Sequence, residues 1–160
     1  MSSVQGPAEA TCRRGSATEG AECLSAVRTL EKAQEGCVAK DDDRQGLGRR
    51  GEELAAQYLI SKGYEIITRN WRCEAGELDV VVSDGVCLAF VEVRARRGRA
   101  LGSPEESITP AKQVRLANLA DAYVQAHDWY GHYRIDVVAI EYDQRGRLLR
   151  VEHYENAVTG

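Results

Sequence analysis

The chain has 160 residues, room for one domain of ordinary size and a tail. Hydrophobic residues make up 43% and charged residues 29%, a balance that excludes a wholly disordered chain. A net charge of −4 excludes a uniformly basic polyanion binder and leaves local clusters of charge to decide.

Residues 1–43 are rich in Ala, Ser, Gly and Glu and carry 5 basic and 8 acidic groups, a net −3. Leu24, Val27 and Leu30 would support only a weak helix over 21–35, marginal on its own. This segment reads as a disordered N-terminal extension ending at Lys40-Asp41-Asp42-Asp43. Residues 44–160 carry 16 basic and 17 acidic groups, a net −1, and read as one α/β domain.

Residues 48–62 have helical periodicity, with Glu52, Ala55, Ala56 and Leu59 on one face and Gly63 as the stop. Strand patterns follow at 64–70, 77–83 and 86–94. Thr109-Pro110 opens a second helix to about residue 127, with Val114, Leu116, Ala117, Ala120, Tyr123 and Val124 as its apolar stripe. Strands at 133–142 and 147–153 flank the turn Asp143-Gln144-Arg145-Gly146. The order is α-β-β-β-α-β-β, a mixed central sheet flanked by helices.

Five cysteines at irregular spacing, with no C-x-x-C pair, argue against a zinc site and for reduced thiols. Cys87 lies in an apolar strand and reads as a core residue. No apolar run reaches the roughly 18 to 20 residues of a membrane helix, and the N-terminus has no apolar signal region. A cytoplasmic protein without a membrane partner is expected.

The chemistry concentrates between Gly76 and Arg94. Asp84-Gly85 between two apolar runs is a strong hairpin signal. A two-residue turn there pairs Ser83 with Val86, sets Asp79 opposite Phe90, and makes Asp79 and Glu92 diagonal neighbours, about 7–8 Å apart at the backbone. One face then holds Leu78, Val80, Val82, Cys87, Ala89, Val91 and Val93. The other holds Val81, Val86, Leu88 and Phe90, with Glu77, Asp79, Glu92 and Arg94 at one end. Carboxylates at the end of a hairpin covered on both faces are costly unless compensated. Glu52, on the core-facing stripe and near the start of the first helix, adds another. Asp79, Glu92 and Glu52 could supply hard oxygen ligands to Mg²⁺ or Mn²⁺. They could equally form salt bridges, Glu92 with Arg94 or Glu77 with a nearby arginine.

Gly51-Glu52-Glu53-Leu54-Ala55, Gly76-Glu77-Leu78-Asp79-Val80-Val81, Phe90-Val91-Glu92-Val93-Arg94, Gly102-Ser103-Pro104 with Thr109-Pro110-Ala111-Lys112, and Arg134-Ile135-Asp136-Val137-Val138 follow in order. Together they resemble the YraN-like family of uncharacterised bacterial proteins over about residues 46–158. That family is similar in turn to archaeal Holliday-junction resolvases and other PD-(D/E)xK nucleases. The resemblance implies a restriction-endonuclease-like core and a Mg²⁺- or Mn²⁺-dependent endonuclease for DNA, branched or junction DNA included. It sets Glu52, Asp79 and Glu92 on metal-ligand positions. A junction is two-fold symmetric, so a homodimer accompanies this reading.

The superfamily motif ends in E-x-K, whereas this chain has Glu92-Val93-Arg94. Arginine stays protonated, so Arg94 could orient a water or a phosphate oxygen but not take a proton. Lys112 could substitute if the second helix brings it to the same pocket. Arg96, Arg97 and Arg99 follow the carboxylate strand and read either as a solvated loop or as phosphate ligands at the rim of the site. With Lys112 they make the candidate nucleic-acid contacts. The arginine substitution also supports an alternative, a non-catalytic nucleic-acid-binding module on the same fold. A third reading is a metal-dependent phosphohydrolase for smaller substrates. His127, His132 and His153 read as surface or helix-end residues, Trp71 as packing at the sheet edge, and Asp136 as a structural partner of Arg134.

Overall fold

A computed structural model describes residues 44–98 and 108–158. The readings placed on residues 1–43, on Arg99 and on Gly102-Ser103-Pro104 lie outside the described residues.

Helix α1 spans Arg44–Ser61. It ends as expected at Gly63, whose φ of +88° suits the left-handed position after a helix. The Tyr64 amide donates to Leu59 O at 3.1 Å and the Gly63 amide to Ile60 O at 2.9 Å, tying off the last turn. The helix starts earlier than its periodicity suggested. Glu52 therefore sits in mid-helix, where the dipole of the helix start no longer helps it, and this corrects its expected place.

Strands β1 (Glu65–Cys73), β2 (Gly76–Ser83) and β3 (Cys87–Arg97) form an antiparallel meander. Helix α2 (Pro110–Ala126) then crosses over so that β4 (His132–Tyr142) runs parallel to β3, and β5 (Leu148–Val158) returns antiparallel. The five strands lie in chain order in one sheet. Thr109 caps α2 as read, its Oγ1 accepting from the Lys112 amide at 3.3 Å, with Pro110 at the first helical position.

The β2–β3 register differs from the expectation. Ser83 pairs with Leu88 and Val80 with Val91, a shift of two residues. The cause is the turn: Asp84 Oδ1 accepts from the Val86 and Cys87 amides at 3.0 and 2.8 Å, closing a four-residue loop on its own carboxylate. A shift of two preserves the faces but changes the partners. One step beyond Val80↔Val91, Asp79 comes opposite Glu92 rather than opposite Phe90.

Both faces of the sheet are covered. Leu54, Ala55, Tyr58 and Leu59 of α1 pack on Val80, Val82, Ala89, Val91, Val138 and Ile140. Leu116, Leu119, Ala120 and Tyr123 of α2 pack on Val81, Leu88, Phe90, Ile135 and Val137. Val80, Val81 and Val82 are all fully buried, as a strand covered on both faces requires. Leu78 joins the α2 core rather than the α1 core, and Val86 and Val114 are exposed, the former because it sits in the turn. Gly51 is the contact point of α1: a Cβ there would lie 2.6 Å from Ala95 Cβ.

Two further expectations are corrected. Arg94 ends the expected strand but Arg96 and Arg97 continue it and are strand, not loop, because β3 stays paired with β4 as far as Arg97↔Tyr142. His153 is no surface residue: its side chain is buried and Nε2 lies 2.9 Å from Asp136 Oδ2. Asp136, fully buried, also accepts from Arg134 Nε and from the Asn156 amide, which makes it the structural hub its strand position suggested. Trp71 packs edge-on against Tyr123 at 5.2 Å, as expected of a residue at the sheet edge.

Candidate active site at the end of the covered sheet

The two-residue strand period puts Glu92 and Arg94 on the α2 side of β3, with Leu88 and Phe90. Glu92 is only 6% exposed. A carboxylate so buried needs compensation. Lys112 Nζ of α2 supplies it from 3.0 Å and Arg94 Nε from 3.3 Å, both at Oε1. The N-cap at Thr109 and Pro110 fixes the first turn of α2 and therefore where Lys112 points.

Asp79 Oδ2 accepts from the Val93 amide at 2.8 Å, bonding the end of β2 to β3 beside Glu92. Burial, and next the Glu92 carboxylate, push Asp79 up to about 7 from 3.8. The Val93 amide opposes this, Glu52 adds to it, and Lys112 offsets part. Two carboxylates thus face each other with too little positive charge between them.

Glu52, on α1, is within the field of these carboxylates. Burial and Glu77 raise its pKa most, while Arg69 and a hydrogen bond from Asn70 hold it down and Glu92 pushes it up further. Neighbouring Glu53 is tied to Arg69 at 2.8 Å, and Glu77 to Arg72 at 3.2 Å. The salt-bridge reading therefore holds for Glu77 and for Glu92. For Asp79 no salt bridge is formed among the described residues.

Among the described residues no three acidic, histidine or cysteine side chains sit close enough to make a ready-formed cation cage. Asp79 and Glu92 come together, and Glu52 joins them through its field. Two features nevertheless suit a hard divalent cation and an anionic substrate. The donors are carboxylate oxygens that repel one another. In addition Arg94 Nε is buried and finds no hydrogen-bond acceptor among the described residues, since its approach to Glu92 lacks the geometry.

Arg96 is half-buried and Arg97 exposed, both on β3 beyond the carboxylates. Arg115 was missed by sequence reading. A Cβ at Gly76 would lie 2.5 Å from Arg115 Nη2, so this guanidinium covers the start of β2, where Gly76 has a φ of +140°. The signal was its place three residues after Lys112, one turn along the same helix. Arg69 and Asn70 were missed as well, because only the β1–β2 pairing brings them toward Glu52.

Comparison with known proteins agrees with the motif reading. A model of the family described as Uncharacterised protein family UPF0102 matches residues 51–140. The UPF0102 protein of Pelotomaculum thermopropionicum is 52% identical over 117 residues, covering 72% of this chain and 98% of the relative. That of Roseiflexus castenholzii is 50% identical over 117 residues, covering 72% and 94%. That of Herpetosiphon aurantiacus is 47% identical over 119 residues, covering 71% and 94%.

Proposed function

The chain belongs to the UPF0102 family, whose name states no activity, and from its site we propose a divalent-metal-dependent nuclease that hydrolyses phosphodiester bonds in DNA, branched DNA included. The observation that carries this reading is the facing of Asp79 and Glu92 at the end of a covered sheet, with Lys112 on Glu92. The element order, an opening helix, a meander carrying the carboxylates and a crossover helix, is compatible with a restriction-endonuclease-like core. A protein acting on chromosomal DNA would work in the cytoplasm.

Asp79 and Glu92 would hold Mg²⁺ or Mn²⁺, with Glu52 assisting. Such an ion supplies a more acidic bound water and neutralises charge on the phosphate. The protein's own groups have separate tasks. Lys112 is paired with Glu92 and is the one amine at the site among the described residues, so it would take the part the superfamily gives to a lysine on the strand. Arg94, whose side chain is one-third exposed, would offer the accessible part of its guanidinium to a phosphate oxygen. The Val93 amide fixes the Asp79 carboxylate. Arg115 and Arg96 would neutralise flanking phosphates.

The test is cleavage of a labelled four-way junction and of a matching linear duplex, with Mg²⁺, with Mn²⁺ and with chelator. Metal-dependent cutting that disappears in Asp79→Ala/Glu92→Ala supports the reading; cutting that persists in the double variant removes it. The arginine at position 94 favours a second reading, a nucleic-acid-binding module without chemistry. Metal-independent binding with no cleavage of either substrate would select it.

A further inference from the structure

The arginines that the carboxylate site does not use gather on the other side of the same sheet end. Arg97 alternates away from Glu92 and Arg94, toward α1. A Cβ built at Gly146, in the β4–β5 turn, would lie 3.7 Å from Arg50 Nη1 and 3.9 Å from Arg97 Nη2. Two guanidinium groups from different elements thus converge on one side-chain-free point of the backbone. Arg50 lies over the Tyr142 ring, 5.3 Å from its centroid, and Nη2 donates to Gly146 O at 3.4 Å. Arg49 is exposed beside it on α1.

The turn itself adds Arg145 and Arg147. Its one acid, Asp143, is committed to the turn: Oδ1 accepts from the Arg145 and Arg147 amides at 2.8 Å each, and Oδ2 takes Arg147 Nε at 2.7 Å. Those bonds hold Asp143 below the usual carboxylate range, so it stays bound in the turn. Arg145 projects into solvent, and its side chain makes no hydrogen bond or ion pair among the described residues. The nearest other acid on β4, Glu141, lies in register between Arg96 of β3 and Arg150 of β5. Arg49, Arg50, Arg97, Arg145 and Arg147 thus form a rim around the turn, in which Arg147 is paired with Asp143 and Arg50 and Arg145 keep their guanidinium groups out of any ion pair among the described residues.

We infer that this rim binds the phosphate backbone of a nucleic acid that passes over the sheet end, clamping the strand on the side opposite the carboxylate site. The inference rests on nucleic acid being the partner proposed above; it adds where the flanking duplex lies. Glu92 and Arg97 are five residues apart on one strand, roughly 17 Å at the rise of an extended chain. That distance corresponds to about five base steps along a duplex. The rim would hold phosphates about half a helical turn from the bond at the carboxylates.

The test is binding of a fluorescent duplex by anisotropy across a salt series, in chelator so that nothing is cut. Wild type, Arg145→Gln and Arg50→Gln/Arg145→Gln are compared, with thermal melts to confirm folding. Arg145→Gln removes one exposed side chain that has no partner among the described residues and so reads charge alone. Each lost phosphate contact lowers the slope of log affinity against log salt by about 0.9. We expect a drop of about 1 for the single variant and about 2 for the double, with several-fold weaker binding. Unchanged slopes in variants that bind as tightly as wild type overturn the rim and leave the nuclease reading standing. Reduced slopes in a protein that never cuts keep the rim and remove the nuclease. No duplex binding by wild type even at low salt, or the same losses on phosphatidylserine vesicles in place of duplex, overturn the nucleic-acid assignment itself.

Discussion

Lys112 Nζ lies 3.0 Å from Glu92 Oε1, so the buried carboxylate of a strand is neutralised by an amine from the crossover helix. The pairing makes α2 part of the site rather than mere cover for the sheet. Lys112→Met should leave Glu92 with Arg94 alone, which lacks a properly directed hydrogen bond to it. We expect a loss of about 1–3 kcal/mol in chemical denaturation. Cleavage should fall at least a hundredfold, and Lys112→Arg should recover stability better than activity. Equal recovery of both would make Lys112 a structural partner only.

Arg94→Lys separates two histories of this site. If Lys112 already performs the lysine's part, a second amine adds little, and cutting should change less than about threefold. A gain of tenfold or more, worth about 1.4 kcal/mol in the barrier, would instead mean that arginine at this position holds the chemistry back.

Asp79 makes stability depend on pH in a defined direction. With its pKa pushed up to about 7 in the folded chain against 3.8 ordinarily, the folded state keeps a proton that the unfolded state has released. Stability therefore falls as pH rises from about 4 to about 7 and levels off above that. Asp79→Asn keeps an acceptor for the Val93 amide and removes the titration. In chelator it should gain on wild type between pH 5 and pH 8, by up to about 4 kcal/mol. Parallel curves for the two proteins would refute the shift. In wild type, millimolar Mg²⁺ or Mn²⁺ should raise the melting temperature more at pH 8 than at pH 5, and chelator should reverse it.

Gly51→Ala tests the seat of α1. The added methyl would meet Ala95 Cβ at 2.6 Å, in a contact made of backbone and a short side chain that cannot swing away. A loss of about 1–3 kcal/mol is expected, with Glu52 displaced. Ala95→Gly in the same protein should restore much of it, and additive losses would show that the clash lies elsewhere.

The parts of this fold that short-range chemistry dictates were legible in the sequence. Thr109-Pro110 starts a helix and Gly63 stops one for reasons contained in a few residues. The alternation through 77–94 placed Asp79, Glu92 and Arg94 at one end of a face. What was not legible depends on partners far along the chain. The strand state of Arg96 and Arg97 comes from pairing with Glu141 and Tyr142 of β4. The burial of His153 comes from Asp136, and the reach of Lys112 comes from the docking of α2. The register error had a local cause: the Asp84 side chain capped its own loop, where the dipeptide suggested a two-residue turn.

The strand order of the sheet bears on how the site is assembled in time. Asp79 and Glu92 belong to one hairpin and meet when it closes, an event that takes about microseconds in isolated hairpins. Lys112 can join them only when the connection between β3 and β4 has folded back and the parallel pair has formed, the contact of greater sequence separation and slower closure. Between the two events the nascent hairpin carries two facing carboxylates and no lysine. Arg94 is then the hairpin's own counter-charge beside Glu92, and protons or divalent cations in solution supply the rest, so early folding of this chain should be faster in mild acid or with Mg²⁺ than in chelator at neutral pH.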